Sequence, residues 1–408
     1  MGVVGFTIGG GYGSWSKMYG TAATNLLEAT LITANGEVIT ASKCRNQDLF
    51  YALRGGGFGF GVVSSMTFRT HPLPELFIST GNSYIEASNK DAFEEFLAAF
   101  LDNYRTNLIG PKWGEQVNII PDSNEQYPGR WKMTLTMRAT NITMEESDNS
   151  WKPLIDWLIE RKEDYDWSFD FKAIPGNKYW TLENPDAQKS LYDPKEPEKA
   201  FFWIGDDIEV SEYWLFALNT RYLRTDQFLS DPSNGAKKLM TFFQHLPELP
   251  KSIPIAISVG KAQYGASEWA VKELENMPLP PSVSESFGLM LVSFGVEHYS
   301  PLVPDEYQFD TSDILNVQTL CNTTVLEECQ SSKNFINAMN AFREATPGAA
   351  SYFNQADFFE PKFQESFWGN EHYANLLDIK MNRDPEGLFY CHKCVGSEQW
   401  EEGGMCRV

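Results

Sequence analysis

The chain has 408 residues, which is enough for two or three domains and excludes a small disulfide-stapled module. Its 33 Lys and Arg against 55 Asp and Glu give a formal net charge of −22, so the phosphates of a nucleic acid or an anionic lipid surface would repel it. No apolar run approaches the ~20 residues that a membrane-spanning helix requires. We therefore expect neither a nucleic-acid partner nor a membrane span.

The first part of the chain predicts short strands joined by glycine turns. The β-rich residues 25–33, the dipeptide Asn35-Gly36 and the return stretch 37–41 are typical of a tight hairpin. A short helix fits residues 46–54, with Asn46 as its cap. A glycine cluster then leads into another strand, and a proline pair ends this part of the chain.

The middle block, roughly residues 78–330, predicts an antiparallel sheet covered by helices. Residues 131–138 alternate between large apolar side chains and Lys, Thr or Arg, so one face of this strand should be buried. The other face should be wet or should line a site. The predicted fold class is α+β.

Gly9-Gly10-Gly11-Tyr12-Gly13 is the first candidate for a site. Glycines let a backbone approach a flat ligand closely and direct its N–H groups at it, although a plain turn or bulge would use the same residues. The spacing does not match the dinucleotide-binding fingerprint, and no helix with a ribose-binding acid follows.

The stretch Tyr352-Phe353-Asn354-Gln355-Ala356-Asp357 is the second candidate. As a short strand it would place Tyr352, Asn354 and Ala356 on one face. A phenol beside an amide could deprotonate and orient a hydroxylated substrate. The alternative is ordinary packing with one hydrogen bond for the phenol.

Cys391-His392-Lys393-Cys394 invites a redox or a metal interpretation. No second pair of ligands at zinc spacing accompanies it, so we predict no metal site. A structural disulfide, or two separate bonds to other late cysteines such as Cys321, Cys329 and Cys406, fits better.

The late cysteines and two glycosylation sequons, Asn141-Ile142-Thr143 and Asn322-Thr323-Thr324, favour a secreted protein or one in the secretory pathway. Against this, residues 1–15 contain neither a basic segment nor an apolar run, so no signal peptide can be recognised there. We expect either a cytosolic protein or one whose true amino terminus is missing from this sequence.

Two sets of motifs in a fixed order carry the most specific signal. Near the start they are Gly9-Gly10-Gly11-Tyr12-Gly13, Tyr19-Gly20, Asn25-Leu26-Leu27-Glu28-Ala29, Asp48-Leu49-Phe50-Tyr51-Ala52-Leu53-Arg54-Gly55-Gly56-Gly57 and Phe60-Gly61-Val62-Val63. Near the end they are Tyr352-Phe353-Asn354, Phe359-Glu360-Pro361, Ser366-Phe367-Trp368-Gly369, Asp384-Pro385-Glu386-Gly387-Leu388-Phe389 and Val395-Gly396-Ser397-Glu398. Together they resemble the berberine-bridge-enzyme-like flavoproteins of the vanillyl-alcohol-oxidase, or p-cresol-methylhydroxylase, superfamily.

The resemblance implies a divided architecture. Residues 1–77 would form the second half of a PCMH-type FAD-binding domain, and residues 78–345 a substrate-binding domain with an antiparallel sheet covered by helices. Residues 346–408 would be the berberine-like segment that returns to the FAD domain. The family's amino-terminal portion, with its phosphate-binding loop and flavin-tethering His and Cys, has no counterpart in this sequence.

The resemblance also implies FAD as cofactor, a small-molecule substrate oxidised at an alcohol, a sugar hydroxyl or a related carbon, and oxygen or another electron acceptor. Carried over residue by residue, the family's cofactor-binding positions are Gly9, Gly10, Gly11, Tyr12, Gly13, Asn25, Gly61 and Val62. Tyr352 and Asn354 would face the reactive edge of the flavin ring.

Loss of hydride from a carbinol carbon requires its oxygen to lose a proton, so Tyr352 is the predicted base. Asn354 does not titrate and would orient its neighbours. Lys261 or Gln263 is a candidate for a second catalytic group. The alternative function is a non-catalytic remnant that serves as a secreted ligand- or carbohydrate-binding protein.

Overall fold

The computed structural model describes residues 2–81, 83–121, 129–179, 181, 184, 187–189, 201–203, 213–244, 255–297, 327–357, 360–401 and 406–408. Its strands are β1 Leu26–Ile32, β2 Val38–Ser42, β3 Val62–Phe68, β4 Leu76–Ser79, β5 Ser83–Ala87, β6 Trp113–Ile120, β7 Trp131–Thr140, β8 Tyr165–Ser168, β9 Lys172–Pro175, β10 Ala187–Lys189, β11 Phe201–Trp203, β12 Tyr213–Arg224, β13 Ile255–Ser258 and β14 Ser286–Glu297. Its α-helices are α1 Val3–Ile8, α2 Ser16–Tyr19, α3 Ala22–Asn25, α4 Gln47–Ala52, α5 Lys90–Asn103, α6 Met144–Glu160, α7 Gly176–Tyr179, α8 Thr225–Phe228, α9 Pro232–Gln244, α10 Glu268–Leu274, α11 Ser282–Glu285, α12 Glu327–Ala345, α13 Phe363–Trp368 and α14 Asn370–Arg383.

The amino-terminal sheet has three antiparallel strands in the order β2-β1-β3. The predicted hairpin is confirmed, with Ile32 opposite Val38 across the Asn-Gly turn. Two local predictions are wrong. Residues 3–8 form helix α1 rather than a strand or turn, and Asn46 does not cap α4 with its side chain. Its backbone is left-handed (φ 44°), and its amide donates to the Thr40 carbonyl at 2.8 Å instead.

The large sheet is antiparallel and follows the order β12-β14-β13-β6-β7-β4-β9, with β5 joining β7 to β8. Along β7 the apolar residues Met133, Leu135 and Met137 have no exposed surface, and the intervening polar residues are half-buried. The predicted alternation is therefore confirmed. Residues of α5, α6, α9 and α12 share one hydrophobic core with the buried face, so the α+β class is also confirmed.

A second core joins the two ends of the described chain. Residues of β1 and α4 pack with the carboxy-terminal helices α13 and α14 around the fully buried Trp368. The Trp368 indole N–H donates to the Gly55 carbonyl at 3.0 Å, and Lys380 Nζ donates to the Gly59 carbonyl at 2.6 Å. Within the described part of the chain, every helix is too short or too polar to cross a membrane.

Candidate functional site

The glycine-rich segment near the start of the chain packs against one end of the large sheet. The Ser14 carbonyl oxygen lies where a side chain would begin at two glycines: a Cβ on Gly114 would be 1.5 Å from it, and a Cβ on Gly260 would be 2.6 Å from it. Only glycine permits this approach from both β6 and the turn after β13. The close seating brings the neighbouring Tyr12 against the carboxy-terminal residue Tyr352, with ring centroids 4.9 Å apart.

Tyr352 is fixed by its attachment to the edge strand β12. Its backbone N–H donates to the Thr220 hydroxyl at 2.9 Å, and that hydroxyl donates to the Gln355 carbonyl at 2.9 Å. The intervening residues Phe353–Gln355 form a 3-10 turn, so the prediction of a short strand here is wrong. Tyr352 and Asn354 are adjacent because the turn wraps them together, not because they share a strand face.

The Tyr352 hydroxyl oxygen accepts two hydrogen bonds. The Gly11 backbone N–H donates to it at 3.3 Å, and Asn354 Nδ2 donates to it at 3.0 Å. Since a phenol has one proton to give, these two donors leave that proton for an acceptor on the cavity side. Burial raises the pKa of Tyr352 to about 12, whereas the amide of Asn354 and the backbone N–H groups of Gly11 and Tyr12 act to lower it.

Asn354 closes the space behind the phenol. Its Nδ2 also donates to the carbonyl oxygens of Gly5 at 3.1 Å and Phe6 at 3.2 Å, and these two acceptors fix the orientation of the amide. Its Oδ1 is buried with no hydrogen-bond partner among the described residues. A Cβ on Gly9 would lie 2.0 Å from that oxygen, so Gly9 makes room for Asn354.

A cavity of about 610 Å³ opens in front of these residues. Its volume is in the range of sites for cofactors and small molecules. Aromatic side chains line much of it, and polar groups are gathered near Tyr352. The phenylalanines are Phe6, Phe58, Phe353 and Phe367, and the polar residues include Tyr352, Asn354, Gln355, Asp357 and Lys261.

The structure brings together three of the predicted site residues in this cavity, namely Tyr12, Tyr352 and Asn354. Gly9, Gly10 and Gly11 are buried behind them and do not line the cavity. Gly13 lies farther along, where its N–H donates to Ser16 Oγ at 2.8 Å. The glycine run therefore supports the phenol and the amide from behind.

Asn25, Gly61 and Val62 lie outside this cavity. The Asn25 amide donates to the carbonyls of Tyr19 at 2.7 Å and Thr21 at 2.8 Å, and its Oδ1 is 2.6 Å from His71 Nε2. Val62 begins β3 with 54% of its surface exposed. The structure does not bring these three residues together with Tyr352, and their cofactor contacts remain predictions.

Lys261, one of the two candidates for a second group, faces the same cavity. Its Nζ donates to Gln355 Oε1 at 3.3 Å. Burial lowers the pKa of Lys261, and the carboxylate of Glu115 partly opposes this effect. Gln263, the other candidate, is buried away from the cavity, where its amide donates to the Ala262 carbonyl.

Sequence reasoning missed the aromatic lining. Phe353 lies between two recognised residues, and its ring is 5.5 Å from that of Phe58, which lies within the glycine cluster at residues 55–61. An aromatic residue among glycines was the available signal. It was uninformative alone because the chain is 14% aromatic.

The cysteine prediction is settled in favour of a disulfide between Cys391 and Cys394, and both residues line the cavity. Cys44 and Cys406 are exposed free thiols. Asn141 of the first sequon is exposed. The second sequon and Cys321 lie outside the described residues, as does the side chain of Cys329.

The comparisons with known proteins agree with this arrangement. The family model "Berberine and berberine like" matches residues 351–396, the segment that carries Tyr352, Asn354 and the disulfide. The FAD-linked oxidoreductase apf9 of Gibberella fujikuroi is 24% identical over 99% of this chain. The chain spans 62% of that relative's length.

Solved structures share the fold. The VAO-type flavoprotein MtVAO713 of Myceliophthora thermophila matches 100% of this chain and 64% of its own, with a TM-score of 0.72 at 18% identity. The carbohydrate oxidase of Microdochium nivale, solved with a substrate analogue, matches 97% of this chain and 71% of its own, with a TM-score of 0.65 at 17% identity. This chain has the fold of VAO-type flavoproteins and carries a berberine-like segment, as the sequence resemblance predicted.

Proposed function

We propose that this chain belongs to an FAD-dependent oxidoreductase that oxidises an alcohol or sugar hydroxyl carbon. One observation carries the proposal: the glycine run and the Tyr-x-Asn segment, 341 positions apart at Gly11 and Tyr352, meet at a cavity. The FAD-linked and VAO-type names of the relatives support the cofactor. Because the chain spans only part of the length of these relatives, the activity is a proposal for the whole protein to which the chain belongs.

The cavity residues suit a flavin ring, which is flat, apolar at one end and rich in N–H and carbonyl groups at the other. The phenylalanines Phe6, Phe58 and Phe353 offer flat apolar contacts. Gln355 and Lys261 also line the cavity and offer polar partners for the ring's N–H and carbonyl groups. When bound, the flavin supplies a two-electron acceptor, which amino-acid side chains do not provide.

The protein's own part is to bind the substrate hydroxyl and to take its proton. The Tyr352 oxygen is the proposed acceptor of that proton. Because its pKa of about 12 makes a phenolate costly at neutral pH, the donors on the oxygen matter most before proton transfer, while the oxygen is the phenolate that accepts the proton. The Gly11 N–H and Asn354 Nδ2 would then stabilise the negative charge as preorganised dipoles.

The polar face of the large sheet is the proposed surface for the rest of the substrate. Gln116 Nε2 donates to Asn118 Oδ1 at 2.9 Å, and Asn118 Nδ2 donates to Thr134 Oγ1 at 3.3 Å across β6 and β7. These half-buried amides and hydroxyls suit a substrate with several hydroxyl groups. β13, which pairs with β6, runs on into the turn that carries Lys261. The carbohydrate oxidase among the structural neighbours supports this choice.

The first test is Tyr352→Phe, made in the 408-residue chain and in any form extended at its amino terminus. We expect the variant to retain bound FAD, whereas flavin reduction by an alcohol or sugar should slow by about 10²- to 10⁴-fold, the usual contribution of a general base. The measurement is the bleaching of flavin absorbance in a stopped-flow instrument without oxygen. The matched control is Tyr264→Phe, a half-exposed tyrosine outside the cavity, which should reduce at the parent rate.

Different results would contradict the oxidoreductase function and the role of Tyr352 as its base. A form extended at its amino terminus that stays colourless after incubation with FAD would exclude the oxidoreductase. A colourless 408-residue chain that still bound sugars would favour the binding-protein alternative. A yellow Tyr352→Phe variant that reduces at the parent rate would keep the enzyme and remove Tyr352 as its base.

A further inference from the structure

A disulfide forms part of the cavity wall. Cys391 and Cys394 are bonded to each other, and both line the cavity that also contains Tyr352 and Asn354. Disulfides in a hydrophobic core are out of reach of small thiols. This one borders a space large enough to admit them.

The two sulfur-bearing residues differ in access. Cys394 is 3% exposed and precedes Val395, which belongs to the second core that joins the two ends of the described chain. Cys391 is half-buried on the cavity side. Because exchange begins at the sulfur that a thiolate can reach, attack is directed to Cys391 and Cys394 becomes the leaving group.

The small ring that the disulfide closes holds Lys393 in an unfavourable conformation. The backbone of Lys393 is left-handed, with φ 53°, a conformation that is unfavourable for a residue other than glycine. In this conformation its Nζ donates to the Glu360 carbonyl oxygen at 2.6 Å. Opening the ring would let Lys393 relax and would weaken this contact.

Glu360 in turn supports the segment that carries the phenol. Its side chain is 1% exposed, and its carboxylate accepts hydrogen bonds from Ser351 Oγ at 3.1 Å and from Ser366 Oγ at 2.7 Å. It also forms an ion pair with Arg343 at 2.7 Å. Ser351 immediately precedes Tyr352, so the disulfide is linked to the phenol through Lys393 and Glu360.

We propose that Cys391 is a thiol-exchange site for a small thiol of the glutathione class, and that exchange there loosens the Tyr352 segment. A thiolate bonds to Cys391 Sγ, the Cys391–Cys394 bond breaks, and Cys394 leaves as a thiolate that takes a proton. One disulfide replaces another, so the protein as a whole gains no electrons in this step. A second thiol can then remove the adduct as the oxidised reagent, which leaves two protein thiols and two electrons supplied by the reagent.

The test needs no flavin. The exposed thiols are first blocked with N-ethylmaleimide under native conditions, and the protein is then incubated with millimolar glutathione, quenched with acid and mapped by peptide mass spectrometry. We expect glutathione on Cys391 and not on Cys394. Hydrogen exchange in peptides covering residues 351–357 should become roughly tenfold faster, while exchange in β6 and β7 should not change.

Three variants make the coupling falsifiable. Cys391→Ser with Cys394→Ser should show the faster exchange at residues 351–357 without any thiol. Lys393→Met should show it with the disulfide intact. The matched control is Lys362→Met, another left-handed lysine of the same segment (φ 47°) outside the disulfide ring, which should leave exchange unchanged.

Any of three results overturns the proposal. The first is a disulfide that persists in glutathione until the protein is unfolded in urea, and the second is uptake of glutathione at Cys394 instead of Cys391. The third is unchanged hydrogen exchange at residues 351–357 after the bond has opened. None of these results bears on whether the chain binds FAD.

Discussion

Lys17 is a buried lysine, and among the described residues its hydrogen-bond partners are a hydroxyl and a carbonyl rather than a carboxylate. Its side chain has no exposed surface, and its Nζ donates to the Tyr104 hydroxyl at 2.8 Å and to the Ile109 carbonyl at 3.4 Å. Burial lowers the pKa of Lys17 from 10.5 to about 7. Between these values the unfolded chain holds a proton that the folded protein has released. The free energy of unfolding should therefore rise with pH between about 7 and 10.5. Below this window Lys17 is charged in both states, so the whole cost of burying its charge lowers the stability.

Lys17→Met should remove this pH dependence. At pH 6 we expect the variant to be more stable than the parent by about 1–3 kcal/mol, because it no longer buries a charge, and the gain should vanish towards pH 10. Urea unfolding at a series of pH values measures it. Lys152→Met, which replaces a lysine that is 65% exposed, should show no such pH-dependent gain.

The amide of Asn354 is expected to influence the pH profile of the proposed reaction. Asn354→Ala removes a donor from the Tyr352 oxygen, so the pKa of that phenol should rise further above its ordinary value. The pH at which flavin reduction reaches half its maximum should move upward, and the rate at neutral pH should fall by about tenfold. An exposed asparagine on α14, changed in Asn382→Ala, is the control, and an unchanged profile for Asn354→Ala would contradict the assigned role.

Helix α6 begins with a capping box. The Glu146 N–H donates to Thr143 Oγ1 at 3.1 Å, and the Thr143 N–H donates to Glu146 Oε2 at 2.8 Å. Thr143→Ala should lower the free energy of unfolding by about 1 kcal/mol, whereas Thr143→Ser should retain most of it. Denaturant unfolding checks this in protein made without glycosylation, since Thr143 also completes the Asn141 sequon. Equal losses for both variants would show that the methyl group, not the cap, matters.

Elements with local signals could be predicted from the sequence, and those set by distant contacts could not. The β1–β2 hairpin follows from its Asn-Gly turn, and the β7 alternation follows from a period of two. Residues 352–357 also alternate, yet the bonds of Tyr352 and Gln355 to Thr220 in β12 impose a turn. In the site, Tyr352 and Asn354 were found through motifs. The contact of Tyr352 with Gly11 depends on three segments far apart in the chain, because Thr220 of β12 also holds Tyr352.

At the scale of the whole molecule, the glycine-rich segment packs against the large sheet only because Gly114 has no side chain. Gly114→Ala would place a Cβ 1.5 Å from the Ser14 carbonyl, a clash with backbone that must displace the segment carrying Tyr12. We expect a loss of about 2 kcal/mol or more in stability, together with a changed environment for Tyr352. Thermal unfolding and near-ultraviolet circular dichroism measure these. A Cβ on Gly110 would meet nothing within 4 Å, so Gly110→Ala should behave as the parent, and a parent-like Gly114→Ala would contradict this account.

The contacts that join residues 5–60 to residues 351–389 have a further consequence for biosynthesis. Trp368 bonds to Gly55 across 313 positions, and Lys380 bonds to Gly59 across 321. At a translation rate of ~5–20 residues per second, the nascent amino-terminal sheet waits about 15 to 60 s before these partners emerge from the ribosome. During that interval the apolar face later covered by α13 and α14 is open to association with other nascent chains or with chaperones. Refolding should likewise be slow, because closure of such long loops precedes the formation of the cavity.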